Sequence, residues 1–333
     1  MKKILSLSVV LFTFIQFING QPFSYPATKK VEHTDDYFGT KVSDPYRWLE
    51  DDKSAETAAW VKEENKITFD YLDKIPFRSK LKDRLTTLWN FQKRSVPFKG
   101  GNNYYMYMND GLQNQYILNV LKGKWNATPE PFLDPNQLSS DGTVNIGAVS
   151  VSKDGKWVAY EISKGGSDWS EIHIKNTWSN KESPETVQWV KFSGISWEGN
   201  GFYYSRYDKP DSANILKGKN EFHKVYYHVV GSQQIADKLV YQDKTHPQRN
   251  YGAGTTDDER YLILSGNEAS SNNNLMIKNL KKAKAEWKTI VADFENEYSI
   301  VDNDSNSIYM LTNKNASNYR LVKLDAENPA APW

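Results

Sequence analysis

The period of apolar positions changes once along this chain, near residue 91. Upstream of that point the spacing is helical. Ser54 suits the N-cap of a helix over about Ala55–Leu72, because its hydroxyl can accept from a first-turn N–H. Trp60, Ile67 and Tyr71 then fall on one face. Pro76 fits a second helix start, and Phe77, Leu81, Leu85 and Leu88 follow as a second apolar row. Arg78, Lys80, Lys82, Asp83 and Arg84 take the other faces. Both rows read as packing surface. Just before them, Tyr46, Trp48 and Leu49 crowd into Asp44-Pro-Tyr-Arg-Trp-Leu-Glu-Asp-Asp52 and need something to bury against.

From about Gln92 onward the pattern is short strands and turns. One phrase organises it. In Ser150-Val-Ser-Lys-Asp-Gly-Lys-Trp-Val-Ala-Tyr160, apolar residues lead into a Lys-Asp-Gly turn and a β-favouring run follows. Looser copies lead into Tyr104–Tyr107, Phe202–Tyr204, Tyr261–Leu264 and Ile308–Leu311. The copies recur at intervals of roughly 45–60 residues, a multi-strand repeat of the size that builds β-propellers. The expected fold is therefore mainly β: an incomplete β-propeller of about five blade-like units over 92–333, preceded by two α-helices in a segment 21–91. Asn328-Pro-Ala-Ala-Pro-Trp333 reads as a connection between strands.

Composition narrows the chemistry. The chain has 333 residues, a formal net charge of +1, and no cysteine. A near-neutral chain without a basic stripe gives no electrostatic case for nucleic acid. Without cysteine there is no disulfide, thiolate metal site or cysteine nucleophile. Lys2 and Lys3 precede an apolar run, Ile4 to Ile18, that is short for a membrane span. Residues 1–20 are expected to be a cleaved signal peptide, leaving no stable membrane anchor and placing the mature protein in the periplasm or outside the cell.

A hydrolase nucleophile elbow needs Gly-x-Ser-x-Gly between a strand and a helix. Gly194-Ile-Ser-Trp-Glu198 starts that way, but Glu198 replaces the second glycine and strand-like Phe202-Tyr-Tyr follows. Gly165-Gly166-Ser167-Asp168 lacks a phosphate-cradle spacing. Of the five histidines, His223 and His228 are placed on one expected strand, pointing to opposite faces. That argues against a shared metal, and all five (His33, His173, His223, His228, His246) read as structural or surface residues. No catalytic residue, cofactor-binding residue or metal ligand is assigned from the residues themselves.

Several stretches carry a family resemblance. Asp44-Pro-Tyr-Arg-Trp-Leu-Glu-Asp, Gly111-Leu-Gln-Asn-Gln, Phe132-Leu-Asp-Pro-Asn, Ser140-Asp-Gly-Thr, Gly166-Ser-Asp-Trp and Val190-Lys-Phe-Ser-Gly-Ile-Ser-Trp resemble the prolyl oligopeptidases, in order, from about Tyr25 to Trp333. The resemblance implies a seven-bladed propeller capping an α/β-hydrolase domain, on which the N-terminal helices pack. It implies cleavage of oligopeptides after proline by a Ser-Asp-His triad, without a metal or organic cofactor. The triad belongs to the hydrolase domain, so this chain is expected to be the N-terminal portion and inactive alone. The resemblance also marks Ile174 as a cavity-lining position. The alternative is a stand-alone exported propeller that binds a ligand, against which an unclosed array would expose its end blades.

Overall fold

A computed structural model describes residues 23–211, 215 and 218–333; the expected signal peptide, 1–20, lies outside the described residues. The chain divides after Trp89 into two compact units, the second running Asn90–Trp333. In the first, β1 (Thr34–Tyr37) and β2 (Thr40–Ser43) form a hairpin. Helix α1 (Ala55–Leu72) begins where the Ser54 hydroxyl accepts from Thr57 N–H at 3.0 Å. Trp60 Nε1 donates to Thr28 Oγ1, tying the preceding segment to the helix, and Trp48 Nε1 donates to Lys29 O within the stretch before it. Helix α2 spans Arg78–Trp89, so Phe77 stands just outside it. The apolar row was expected to be a packing surface, yet Phe77, Leu81, Leu85 and Leu88 each keep more than half of their surface exposed.

The second unit is a succession of antiparallel meanders, each a propeller blade. Blade 1 holds β3 (Lys93–Arg94), β4 (Phe98–Gly100), β5 (Asn103–Asn109), β6 (Ile117–Leu121) and β7 (Glu130–Leu133). Blade 2 holds β8 (Val144–Val151), β9 (Trp157–Lys164), β10 (Ser170–Asn176) and β11 (Val187–Val190). Blade 3 holds β12 (Ser196–Glu198), β13 (Gly201–Arg206), β14 (Lys224–Val229) and β15 (Lys238–Gln242). Blade 4 holds β16 (Asn250–Thr255), β17 (Tyr261–Asn267), β18 (Asn273–Asn279) and β19 (Lys288–Val291). Blade 5 holds β20 (Tyr298–Asp304), β21 (Ser307–Thr312) and β22 (Arg320–Asp325). Blades 2 and 3 also join through one strand pair, Val190 with Arg206.

The cores lie between blades. Tyr105 and Leu118 meet Val158 and Tyr160 between blades 1 and 2. Ile172, Ile174 and Val187 meet Phe202 and Tyr204 between blades 2 and 3. Tyr261 and Ile277 meet Ile308 and Met310 between blades 4 and 5. Because successive side chains point to opposite faces, a middle strand covered on both sides is buried throughout. Each fully buried large apolar side chain contributes about 1.5–3 kcal/mol.

The repeated phrase turns out to be one repeated turn. In blade 2, Ser152 Oγ bonds Asp154, accepts from Trp157 N–H, and Gly155 takes φ +71°. In blade 4, Thr256 Oγ1 bonds Asp258, accepts from Tyr261 N–H, and Glu259 takes φ +51°. A hydroxyl, an Asp two residues later and a left-handed residue after that close both turns. This explains why the phrase survives in blade 4 without the glycine that blade 2 carries.

Candidate functional site

A cavity of about 510 Å³ is lined from four blades at once. Lys99–Gly101 follow from β4, Ser150–Lys153 from β8, Ile195–Trp197 from β12, and Thr255 and Asp257 from β16. First strands of four successive blades can share one cavity only if the blades stand around a common axis. The cavity is thus one end of the propeller channel.

Its walls are fastened blade to blade. A Cβ built on Gly101 would lie 2.3 Å from Gly155 Cα, so the turns of blades 1 and 2 meet backbone to backbone. Thr255 N–H donates to Ser196 Oγ at 2.8 Å, and Thr255 Oγ1 donates to Trp197 O at 3.0 Å. Gly199 N–H donates to Glu259 at 3.2 Å, and Asn303 Nδ2 to Asp258 at 3.0 Å. Lys153 Nζ reaches Asp257 at 2.7 Å, linking blade 2 to blade 4 past blade 3. Ser196, the serine of the elbow-like stretch, is part of this seam. β12 runs through a tight turn into β13, with no helix behind it.

A second cavity of about 490 Å³ lies between β16 and β20, bordered by Gly252, Gly254, Ile263, Ile300 and Asp302. A Cβ on Gly252 or Gly254 would meet nothing within 4 Å. These glycines leave a strand whose backbone another chain can approach closely. Both cavities offer hydroxyls, backbone groups and a few charges.

The histidines do not converge. Strand β14 starts at Lys224, so His223 lies before it rather than on it, because Phe222 at φ +60° turns the backbone there. His223 Nδ1 accepts from Tyr251 N–H at 3.0 Å, which leaves Nε2 to donate to Lys191 O at 2.9 Å. Burial lowers its pKa to about 4. His228, with no exposed surface, bonds Asp237 at 2.7 Å, and Tyr204 Oη donates to the other carboxylate oxygen at 2.7 Å. His173 lies 3.5 Å from Glu171, His33 3.1 Å from Asp35 and His246 2.9 Å from Asp243. No two histidines share a partner, and among the described residues no serine hydroxyl bonds any of them. Among the described residues, no group of three or more His, Asp or Glu side chains is arranged to hold a metal, and no helix is long and apolar enough to cross a membrane.

Ile174 sits on β10 opposite Ala159, with no exposed surface, in the core shared with Val187 and Phe202. Its neighbours Ser170 and Glu171, nearer the strand start, border a separate cavity. Glu161, which sequence reasoning passed over, is nine-tenths buried in β9, with Oε1 unpaired. Burial raises its pKa to about 7, against a lowering hydrogen bond from Ala148 N–H on β8. A lone acid inside the run Trp-Val-Ala-Tyr-Glu-Ile was the available signal.

Residues 25–333 match the N-terminal β-propeller domain of prolyl oligopeptidase, and the chain belongs to this family. It is 47% identical to the prolyl endopeptidase of Elizabethkingia meningoseptica over 330 residues, 98% of this chain and 46% of that protein. Prolyl oligopeptidase A of Amanita bisporigera is 34% identical, over 92% of this chain and 45% of that protein. Among solved structures, prolyl oligopeptidase B of Galerina marginata, bound to a 35mer hydrolysis and macrocyclization substrate, matches with a TM-score of 0.76 at 30% identity. That match covers 91% of this chain and 46% of the other. The chain spans about half the length of the curated relatives it matches.

Proposed function

We propose that this chain is the propeller portion of an exported prolyl endopeptidase that cleaves oligopeptides after proline. The match of residues 25–333 to the family's propeller domain carries the reading. The channel filters access, and hydrolysis is done by a serine triad supplied outside these residues. The apolar row of α2 packs on that catalytic portion, which accounts for its exposure in the chain by itself. Export is supported by the Lys2-Lys3 start and the apolar run after it.

The purified chain is expected to leave a prolyl reporter peptide intact. Hydrolysis that a serine-directed inhibitor blocks would overturn the absence of a nucleophile. An immunoblot of the source organism is expected to show a band roughly twice the mass of this chain, following from its covering 46% of its relatives. N-terminal sequencing of that band tests export, and an intact Lys2-Lys3 would refute it.

A further inference from the structure

The pairing of β10 with β11 slips: Ser170 faces Val190, but Ile172 faces Val187. Glu171 alone therefore stands opposite both Gln188 and Trp189, a β-bulge, the device by which sheets re-aim a side chain. Trp189 takes φ +63° there, and Phe192 φ +52° three residues on. Bulky residues rarely adopt this conformation, and such strain gathers at ligand clamps.

The bulge borders a cavity of about 320 Å³, walled by Trp169, Trp189, Ile162, Glu171, Gln188 and Ser167. The two indoles lie 5.8 Å apart at 80°, making two walls of a corner. Trp169 is fixed by its Nε1 donating to Ile215 O at 3.0 Å, with Lys191 Nζ 5.1 Å from its ring. Trp189 has Lys209 Nζ 5.8 Å from its ring, and among the described residues its indole N–H donates to nothing. At the rim Lys164 and Glu171 lie 3.8 Å apart and offset each other's charge.

We propose that this corner is an accessory peptide pocket that takes one neutral ring side chain of an oligopeptide, away from the channel. The volume suits one large side chain rather than a whole peptide. Indoles at a right angle give a ring one stacked and one edge contact together. The indole walls favour an uncharged ring, and the Trp189 indole N–H, which donates to nothing among the described residues, can with the Gln188 side-chain amide bond the peptide backbone beside it. Solved relatives hold peptides of 25 and 35 residues, long enough to occupy a site remote from the cleaved bond. The proposal rests on reading the chain as part of an oligopeptide-cleaving enzyme.

The test is calorimetric titration of the full chain with two blocked, proline-free pentapeptides that differ only in a central Phe or Ala. The Phe peptide is expected to bind at least tenfold tighter. Trp189→Ala should bring it down to the level of the Ala peptide. Ser167→Phe, which fills the corner from its rim at the loss of the bond that Ser167 Oγ accepts from Trp169 N–H, should do the same while the chain still unfolds cooperatively. Equal affinity for the two peptides, or a Phe preference that survives both substitutions, overturns the proposal. Because the peptides lack proline, absence of a ring preference sinks the pocket and leaves the prolyl reading standing. A ring preference in a protein that never cleaves after proline does the reverse.

Discussion

Blade 2 and blade 5 are built from the same meander but differ in how many neighbours cover them. In β9 the five residues Val158 to Ile162 are all buried. Val158, Tyr160 and Ile162 face blade 1, while Ala159 faces blade 3. In β21, Ile308 and Met310 are buried against blade 4, but Leu311 lies on the other face and is exposed. Leu321 on β22, paired with Leu311, is 61% exposed, as is Val301 on β20. Burial along the whole of Val158–Ile162 marks a strand covered on both faces, and alternating burial marks one covered on a single face, although Ile308-Tyr-Met-Leu311 is itself an unbroken apolar run.

The largest test of this difference is truncation. Ile174→Ala, inside the core between blades 2 and 3, is expected to cost about 2–5 kcal/mol through lost burial and a cavity. Leu321→Ala on the open face of blade 5 should stay within about 0.5 kcal/mol. Urea unfolding of both variants measures this; similar costs would break the comparison.

The next effect depends on pH. The Glu161 carboxyl of blade 2 titrates at about 7 when folded, above its ordinary value. The folded state therefore keeps a proton that the unfolded state has lost, and stability drains as pH rises from about 4.5 through 7. Glu161→Gln is expected to stabilise by about 2–3 kcal/mol at pH 8 and by nothing at pH 4. His223 has the opposite sign. Its folded pKa is lowered to about 4, so its contribution is complete above about 6.5 and is lost as pH falls toward 4. Melting curves from pH 4 to 8 separate the two, since only the high-pH loss should vanish in Glu161→Gln.

Smaller still is the signal from the open face itself. The isolated chain is expected to bind an apolar dye through Val301, Leu311 and Leu321. Replacing all three by Thr should remove at least about half of the dye fluorescence with little change in melting temperature. Undiminished fluorescence would move the exposed surface elsewhere, with the α2 row as the next place to look.

These features were unequally legible in the chain. The turns were readable because they are local: Ser152 with Asp154, and Thr256 with Asp258, close their loops with their own side chains. The helical rows were readable from spacing, but not their exposure, which depends on what lies against them. The bulge at Gln188 and Trp189 left no mark, since nothing in a tryptophan announces a left-handed backbone. The seam of Ser196 and Thr255 joins residues 59 apart, beyond any periodicity. Family resemblance marks Ile174 as a cavity position; in this chain its side chain lies in the core cluster with Val187 and Phe202.

The smallest effect concerns whether anything besides the cores fastens blade 2. Lys153 and Asp257 occupy equivalent positions of the two matching turns and pair at 2.7 Å, yet their side chains are 48% and 83% exposed. Water competes for both charges, and holding two mobile side chains costs entropy, so such pairs contribute about 0.2–1 kcal/mol. A double-mutant cycle with Lys153→Ala and Asp257→Ala should give a coupling in that range, fading in about 1 M salt, where screening reaches only about 3 Å. A coupling well above it that resists salt would mean that blades 2 and 4 are fastened across the channel mouth. The contrast with blade 5 would then rest on a charge link as well as on covered faces.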